Sequence, residues 1–190
     1  MGSQVSKQDA DLLRRLRDGN IIEEVKAGDM NLEGGLIVVS CADGDQMVDE
    51  FEHLRGLFHD VSSNVSPEEK IHFFGLNGGG LLVSGHWPDP KDGEVLLKHI
   101  SQAQTLKGIK TVALFTHVPC GAAGLVQWSV AMVIDQLINA KLRIKDLNPD
   151  TKVICLLHVD WGKCNGGDDR RKRTYHIKKE RWLAVRREYL

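Results

Sequence analysis

The chain has 190 residues, of which 42% are apolar and 27% charged, and its formal net charge is -1. That is ordinary globular composition, which excludes a wholly disordered chain, a collagen-like fibre and a disulfide-dense miniprotein. So small a net charge gives no chain-wide basic field to draw in nucleic acid or a membrane. The length suits one domain, 1–190, able to bury about 70% of its unfolded surface without a disulfide or structural metal.

Charge is unevenly placed. Residues 1–60 hold thirteen Asp/Glu against six Lys/Arg, and residues 168–190 hold nine Lys/Arg against four Asp/Glu. The longest apolar stretch, near Leu125 to Ile138, is broken by Gln127, Ser129, Asp135 and Gln136. A membrane span needs about 20 apolar residues, so none is expected. The start, MGSQVSKQDADLLRRL, has no apolar signal core. It fits M-G-x-x-x-S, a lipidation pattern short enough to arise by chance. Four cysteines without close pairing and without an export signal point to a cytoplasmic location, where cysteine serves as ligand, nucleophile or core filler.

In chain order, an N-terminal helical arm (1–30) contains a helix near 8–26. Leu36-Ile-Val-Val-Ser40 reads as a buried strand, and Met47, Phe51, Leu54 and Phe58 then mark one helix face. Ile71-His-Phe-Phe-Gly75 reads as a second strand, ending in Asn77-Gly-Gly-Gly80. A short β-rich run, Leu81 to Ser84, follows, then a helix over 93–107 that stops at Gly108. Thr111 to Thr116 is a third strand, and 122–140 is the best helix, with Val126, Val130, Val133, Ile134, Leu137 and Ile138 on one stripe. Val153 to Leu157 is a fourth strand, and a basic helix near 176–189 closes the chain. Continuously apolar strands alternating with helices predict an α/β fold: three layers, with a mainly parallel four-stranded sheet flanked by helices. Ligand sites in such sheets lie beyond the carboxyl ends of the strands.

Cys41 follows the first strand, and His117 and Cys120 follow the third. If those strands are neighbours, two thiolates and an imidazole converge at one sheet end. That donor set suits tetrahedral zinc with a fourth position open. Gly121 and Ala122 then open a helix, whose N-terminus favours an anion. The plainer alternative is a small buried hydrophobe at Cys41 and a chance H-x-x-C at 117–120.

Ser40-Cys41-Ala42-Asp43-Gly44-Asp45 resembles the C-x-D-x-R motif of the β-class carbonic anhydrases, and His117-Val-Pro-Cys120-Gly121-Ala122 resembles their H-x-x-C-G. Leu76-Asn77-Gly78-Gly79-Gly80 is similar to their R-N-A-G-N strand end, and Gly108 to His117 to their L-G-V-K-x-I-x-V-x-G-H run. Order and spacing match over roughly residues 34–160. The resemblance implies Zn2+ held by Cys41, His117 and Cys120, adjacent first and third strands, and a homodimer. It implies reversible hydration of CO2 to bicarbonate, in which the metal lowers the pKa of water for attack on the carbon. Asp43 takes the catalytic aspartate position, accepting a hydrogen bond from that water or binding as a fourth ligand. Gly78, Gly79 and Gly121 are expected to line the substrate slot by letting backbone approach closely.

Two departures bear on activity. Asp45 stands where the family has the arginine that holds the motif aspartate off the metal, and Leu76 replaces a second arginine. Arg55 or an arginine of the basic tail could restore the pair. Failing that, Asp43 could close the zinc shell, leaving a homologue that hydrolyses COS or CS2, or a non-catalytic binding module.

The remaining candidates carry less. His86 could shuttle protons or bond to backbone, and His158 and Asp160 could support the site or pack at the sheet edge. Cys155 reads as an inert core residue and Cys164 as a loop thiol. The basic run Arg170-Arg-Lys-Arg173, with Lys178, Lys179, Arg181, Arg186 and Arg187, could bind phosphates. A solvated helix docked through Ile177, Trp182, Val185 and Tyr189 is the favoured reading, so no nucleic-acid partner is expected.

Overall fold

The computed structural model describes residues 5–30, 32, 34–61, 70–163 and 170–190. Gly2 of the N-terminal pattern and Cys164 lie outside the described residues. The chain is an α/β fold built on one six-stranded mixed sheet with helices on both faces. In chain order the strands are β1 (Ile22–Glu24), β2 (Leu36–Ser40), β3 (Ile71–Gly75), β4 (Thr111–Val118), β5 (Lys152–Lys163) and β6 (Arg170–Ile177). The helices are α1 (Lys7–Asp18), α2 (Gly44–Val61), α3 (Pro90–Lys107), α4 (Gly121–Leu125), α5 (Val130–Leu147) and α6 (Lys179–Val185). Spatial order is β1-β6-β5-β4-β2-β3. The pairs β3–β2, β2–β4 and β4–β5 are parallel, whereas β6 is antiparallel to both β5 and β1.

The sheet separates two apolar layers. On one face, Leu36, Val38, Ala113, Phe115, Ile154 and Leu156 pack with Leu54, Leu57 and Phe58 of α2. On the other, Ile37, Val39, Val112, Leu114, Cys155 and Leu157 pack with α1, α3 and α5. Alternate strand residues point to opposite faces, so each central strand must be apolar throughout to serve both layers. β2 is buried along its whole length for that reason.

Several expectations are corrected. The sheet has six strands rather than four, and mixed directions. The segment 168–190 is not one basic helix: Arg170–Ile177 is β6, and a helix begins only at Lys179. Tyr175 and Ile177 enter one core layer while Thr174 faces the other, an alternation of period 2. The helical spacing of Ile177, Trp182, Val185 and Tyr189 masked it. The first helix likewise ends at Asp18, where the Gly19 N–H caps Arg15 O, and Ile22–Glu24 then pairs with β6. Leu81 to Ser84 lies in a 3-10 turn, Gly79–Ser84, rather than an extended run. The helix expected over 122–140 is two helices. Gln127 adopts a left-handed φ of 57°, and the Ser129 side chain caps α5 by accepting from the Met132 N–H at 3.2 Å.

The C-terminus is anchored through one buried polar contact. Trp182, fully buried, donates its indole N–H to Asp135 Oδ1 on α5 at 2.9 Å, and Arg186 Nη1 lies 3.3 Å from the same oxygen. Asp135→Ala leaves that N–H unpaired in the core. It is expected to cost roughly 1–3 kcal/mol of stability in urea unfolding, with Asp135→Asn costing less.

Candidate metal centre

Parallel pairing of β2 with β4, in the register Val39↔Leu114, sets the carboxyl ends of the two strands side by side. Cys41 is the first residue past β2, and His117 is the penultimate residue of β4. The chain then turns through a cis Val118–Pro119 peptide to Cys120, which stands at the N-cap of α4. The three side chains are 5%, 1% and 9% exposed, and their ligand atoms all lie within 4.8 Å of one another. Among the described residues, no other group of histidine, cysteine and carboxylate side chains meets that criterion.

The donor set fits a metal ion. His117 Nδ1 donates to the Pro119 carbonyl at 2.7 Å, which fixes the ring and leaves the lone pair of the neutral imidazole on Nε2. That Nε2 is buried without a hydrogen-bond partner. A buried, orphaned imidazole nitrogen beside two sulfurs, oriented by a carbonyl on its other side, is the arrangement of a metal-ligating histidine. The two sulfurs share one proton unequally, with negative charge favoured on Cys41. The Cys120 thiol, then the nearby His117 ring and the Gly78 and Asp43 N–H groups, hold the Cys41 thiol far below the ordinary range, against the opposing effect of burial. Cys120 is pushed up, because it gives its proton toward Cys41 and is buried, although the N–H groups of Ala123 and Ala122 partly offset this. Burial pulls His117 down, but contact with Cys41 and the charges of Cys41, Glu50 and Asp43 outweigh it and raise its pKa.

The glycines take two different roles. Gly78 N–H donates to Cys41 Sγ at 3.4 Å. Gly79, at φ +55°, has no room for a side chain: a Cβ there would lie 2.6 Å from Cys41 N and 2.8 Å from Phe115 O. The Gly78–Gly79 turn therefore packs directly on the Cys41 backbone. Gly121 does not share this role, since a Cβ there would meet nothing within 4 Å.

Asp43 is exposed and outside the cluster. Its Oδ1 accepts the Asp45 N–H at 3.1 Å, capping the start of α2, so it approaches the sulfur through its backbone rather than its carboxylate. No arginine among the described residues meets that carboxylate. Arg55 pairs with Glu52 at 2.9 Å. The basic tail does reach this loop, but through Lys172, whose Nζ lies 3.6 Å from Asp45 Oδ1 and also bonds the Asp45 carbonyl.

The other sequence candidates stay apart from the cluster. His86 is exposed, with its backbone N–H on Ser84 Oγ. His158 lies within β5 as the register partner of His117. It is buried, with Nδ1 2.9 Å from Thr174 Oγ1 and Nε2 3.0 Å from Asp49 Oδ2, so it ties β5 to β6 and α2. Asp160 accepts the Gly162 N–H and shapes the end of β5. Cys155 is buried in the sheet, and burial pushes its thiol up to about 12.

Sequence reading missed Glu50. It is fully buried, bonded to the Ser40 hydroxyl through Oε2, and its Oε1 has no partner. Burial pushes its carboxyl up to about 8, against the Ser40 bond and the His117 charge. The available signal was its place four residues before Leu54, on the stripe that α2 buries.

No family model matches this chain, and searches of curated proteins and of solved structures find no match either.

Two outcomes follow from this geometry. Gly79→Ala is expected to destabilise the protein by about 2 kcal/mol or more, since the side chain needs both a disfavoured φ and a backbone shift; denaturant unfolding reads it. For Glu50, the unfolded carboxyl ionises near 4.5 but the folded one holds its proton to about 8. Rising pH therefore lowers stability across that window, by up to about 1.4 kcal/mol per pH unit for one proton. Glu50→Gln is expected to flatten this slope in unfolding curves between pH 5 and pH 8, relative to the natural chain.

Proposed function

We propose that Cys41, His117 and Cys120 hold a zinc ion and that the chain catalyses reversible hydration of CO2 to bicarbonate, in the manner of the β-class carbonic anhydrases that its motifs resemble. The observation that carries the reading is the buried triad itself, with the orphaned His117 Nε2 facing two sulfurs at the carboxyl end of a sheet. Zinc supplies Lewis acidity there and makes water a nucleophile near neutral pH. The chain's own groups do the rest. The Pro119 carbonyl orients His117, and the N–H groups of Gly78 and Asp43 stabilise charge on Cys41. In this reading Asp43, two residues from a ligand, leaves its bond to the Asp45 N–H to accept a proton or hydrogen bond from attacking water. Gly78 and Gly79 keep the approach free of side chains. The same reading makes the working unit a cytoplasmic homodimer.

A second reading has one observation in its favour. The Asp43 carboxylate is held by a backbone N–H and meets no arginine among the described residues, which leaves it able to turn onto a metal and close the shell. That form suits a zinc-binding homologue with altered chemistry, a hydrolase of COS or CS2, or a non-catalytic module.

Metal analysis and stopped-flow CO2 hydration across pH separate these readings. The first expects one zinc per chain and hydration well above the buffer background, both lost in Cys120→Ser. Zinc at full occupancy with background rates at every pH favours the second, and absence of bound metal removes both.

A further inference from the structure

Two aromatic side chains lie beside the loops that carry the triad and belong to neither the ligand set nor the motifs. Gly78, whose N–H touches Cys41 Sγ at 3.4 Å, lies directly under Trp87. A Cβ on Gly78 would stand 3.1 Å from Trp87 Cη2 and 3.4 Å from Cζ2. The Trp128 ring meets Trp87 edge to face, with centroids 5.6 Å apart and planes at 82°. Trp128 is placed from the other ligand's side. Its backbone N–H bonds the Ala123 carbonyl at 3.0 Å, and the Ala123 N–H bonds the Cys120 sulfur. Trp87 thus meets the Gly78 turn on the Cys41 side of the cluster, and the backbone of Trp128 is tied to the Cys120 side. Both are half-buried and pack on the apolar layer that contains the two cysteines. At the end of α4, Leu125 is 87% exposed and extends this apolar surface outward.

We propose that Trp87 and Trp128 form an aromatic aperture over the triad. It admits small uncharged molecules with apolar surface, of the size of a linear triatomic such as CO2, COS or CS2, and holds off bulkier groups. The proposal deepens the metal-site reading above and rests on the triad being the working centre. Its physical basis is general: indoles are rigid and apolar, and an edge-to-face pair is held by the ring quadrupoles. Selection by such a wall depends on size and desolvation, with no charged partner needed. The aperture makes the tryptophans specificity determinants, distinct from any residue that touches the metal.

The test uses the metal-free, reduced full chain and reads access to the cysteines directly. Alkylation of Cys41 and Cys120 is followed by peptide mass spectrometry with a small reagent, iodoacetamide, and a bulky one, N-phenylmaleimide. Each rate is scaled to that of free glutathione. Cys155, fully buried in the sheet, reports unfolding. Trp87→Ala and Trp128→Ala are expected to speed the bulky reagent at Cys41 and Cys120 about tenfold or more, with a smaller effect on iodoacetamide and no reaction at Cys155. Trp87→Phe and Trp128→Phe are expected to stay near the natural rates. If an alanine variant exposes Cys155, the Trp87→Leu and Trp128→Leu variants are read in its place. Equal acceleration of both reagents, or no change with the bulky one, overturns the aperture. Zinc uptake on the same preparations keeps the two ideas apart: no uptake removes the metal reading while the size discrimination stands, and uptake without size discrimination does the reverse.

Discussion

The adjacency of β2 and β4 is the constraint on which the centre depends. Cys41 and His117 are 76 positions apart in sequence. They meet because the chain leaves β2, covers the sheet, visits the edge as β3, covers the opposite face and returns to the other side of β2 as β4. Parallel pairing then aligns the carboxyl ends of both strands, where backbone hydrogen bonding of the ladder gives way to loops. A shift of β4 by one residue would turn His117 to the opposite face of the sheet and leave two sulfurs without their imidazole. The register is held by the two-sided burial of both strands, since any slip exchanges residues between the apolar layers.

Around the triad, the polar groups fall into two sets with opposite demands. One set is backbone. The N–H groups of Gly78, Asp43, Ala122 and Ala123 aim at the sulfurs, and the Pro119 carbonyl aims at the imidazole. These dipoles favour charge on sulfur without adding a counter-charge, and they are fixed by the fold. The other set is side chains on the α2 face: Glu50 on Ser40, and His158 between Thr174 and Asp49. They link the layers beneath the cluster. Glu50 is costly there, being buried with one oxygen unpaired.

The departures from the carbonic anhydrase pattern have a local physical meaning. With Asp45 in the arginine position, the loop after β2 carries two carboxylates and borrows a cation from β6. Lys172 serves Asp45 rather than Asp43, and as a compact ammonium it cannot offer the planar fork with which an arginine grips a carboxylate. Asp43 turns instead to the helix N-terminus, where a backbone N–H satisfies it. A single backbone hydrogen bond therefore holds the Asp43 carboxylate at the start of α2.

Local pattern was enough for the strands that bear the ligands. Leu36 to Ser40 and Thr111 to Thr116 are continuous β-branched and apolar runs, and only a buried parallel strand uses such a run. The positions of Cys41, His117 and Cys120 at their ends followed from those boundaries. Pattern failed where two periods overlapped. In residues 170–189 a strand of period 2 runs into a short helix, and helical spacing across the join hid the strand. β6 exists because β5 and β1 supply partners on both sides, and no local propensity encodes that. The placement of Glu50 and of the paired indoles was likewise hidden, as was the contact of Lys172 with Asp45, because each depends on a neighbour outside its own segment. Which residues can bind a metal is a property of side-chain chemistry and is legible in one dimension. Which of them share a face, a partner and an approach is decided only by how the layers close on each other.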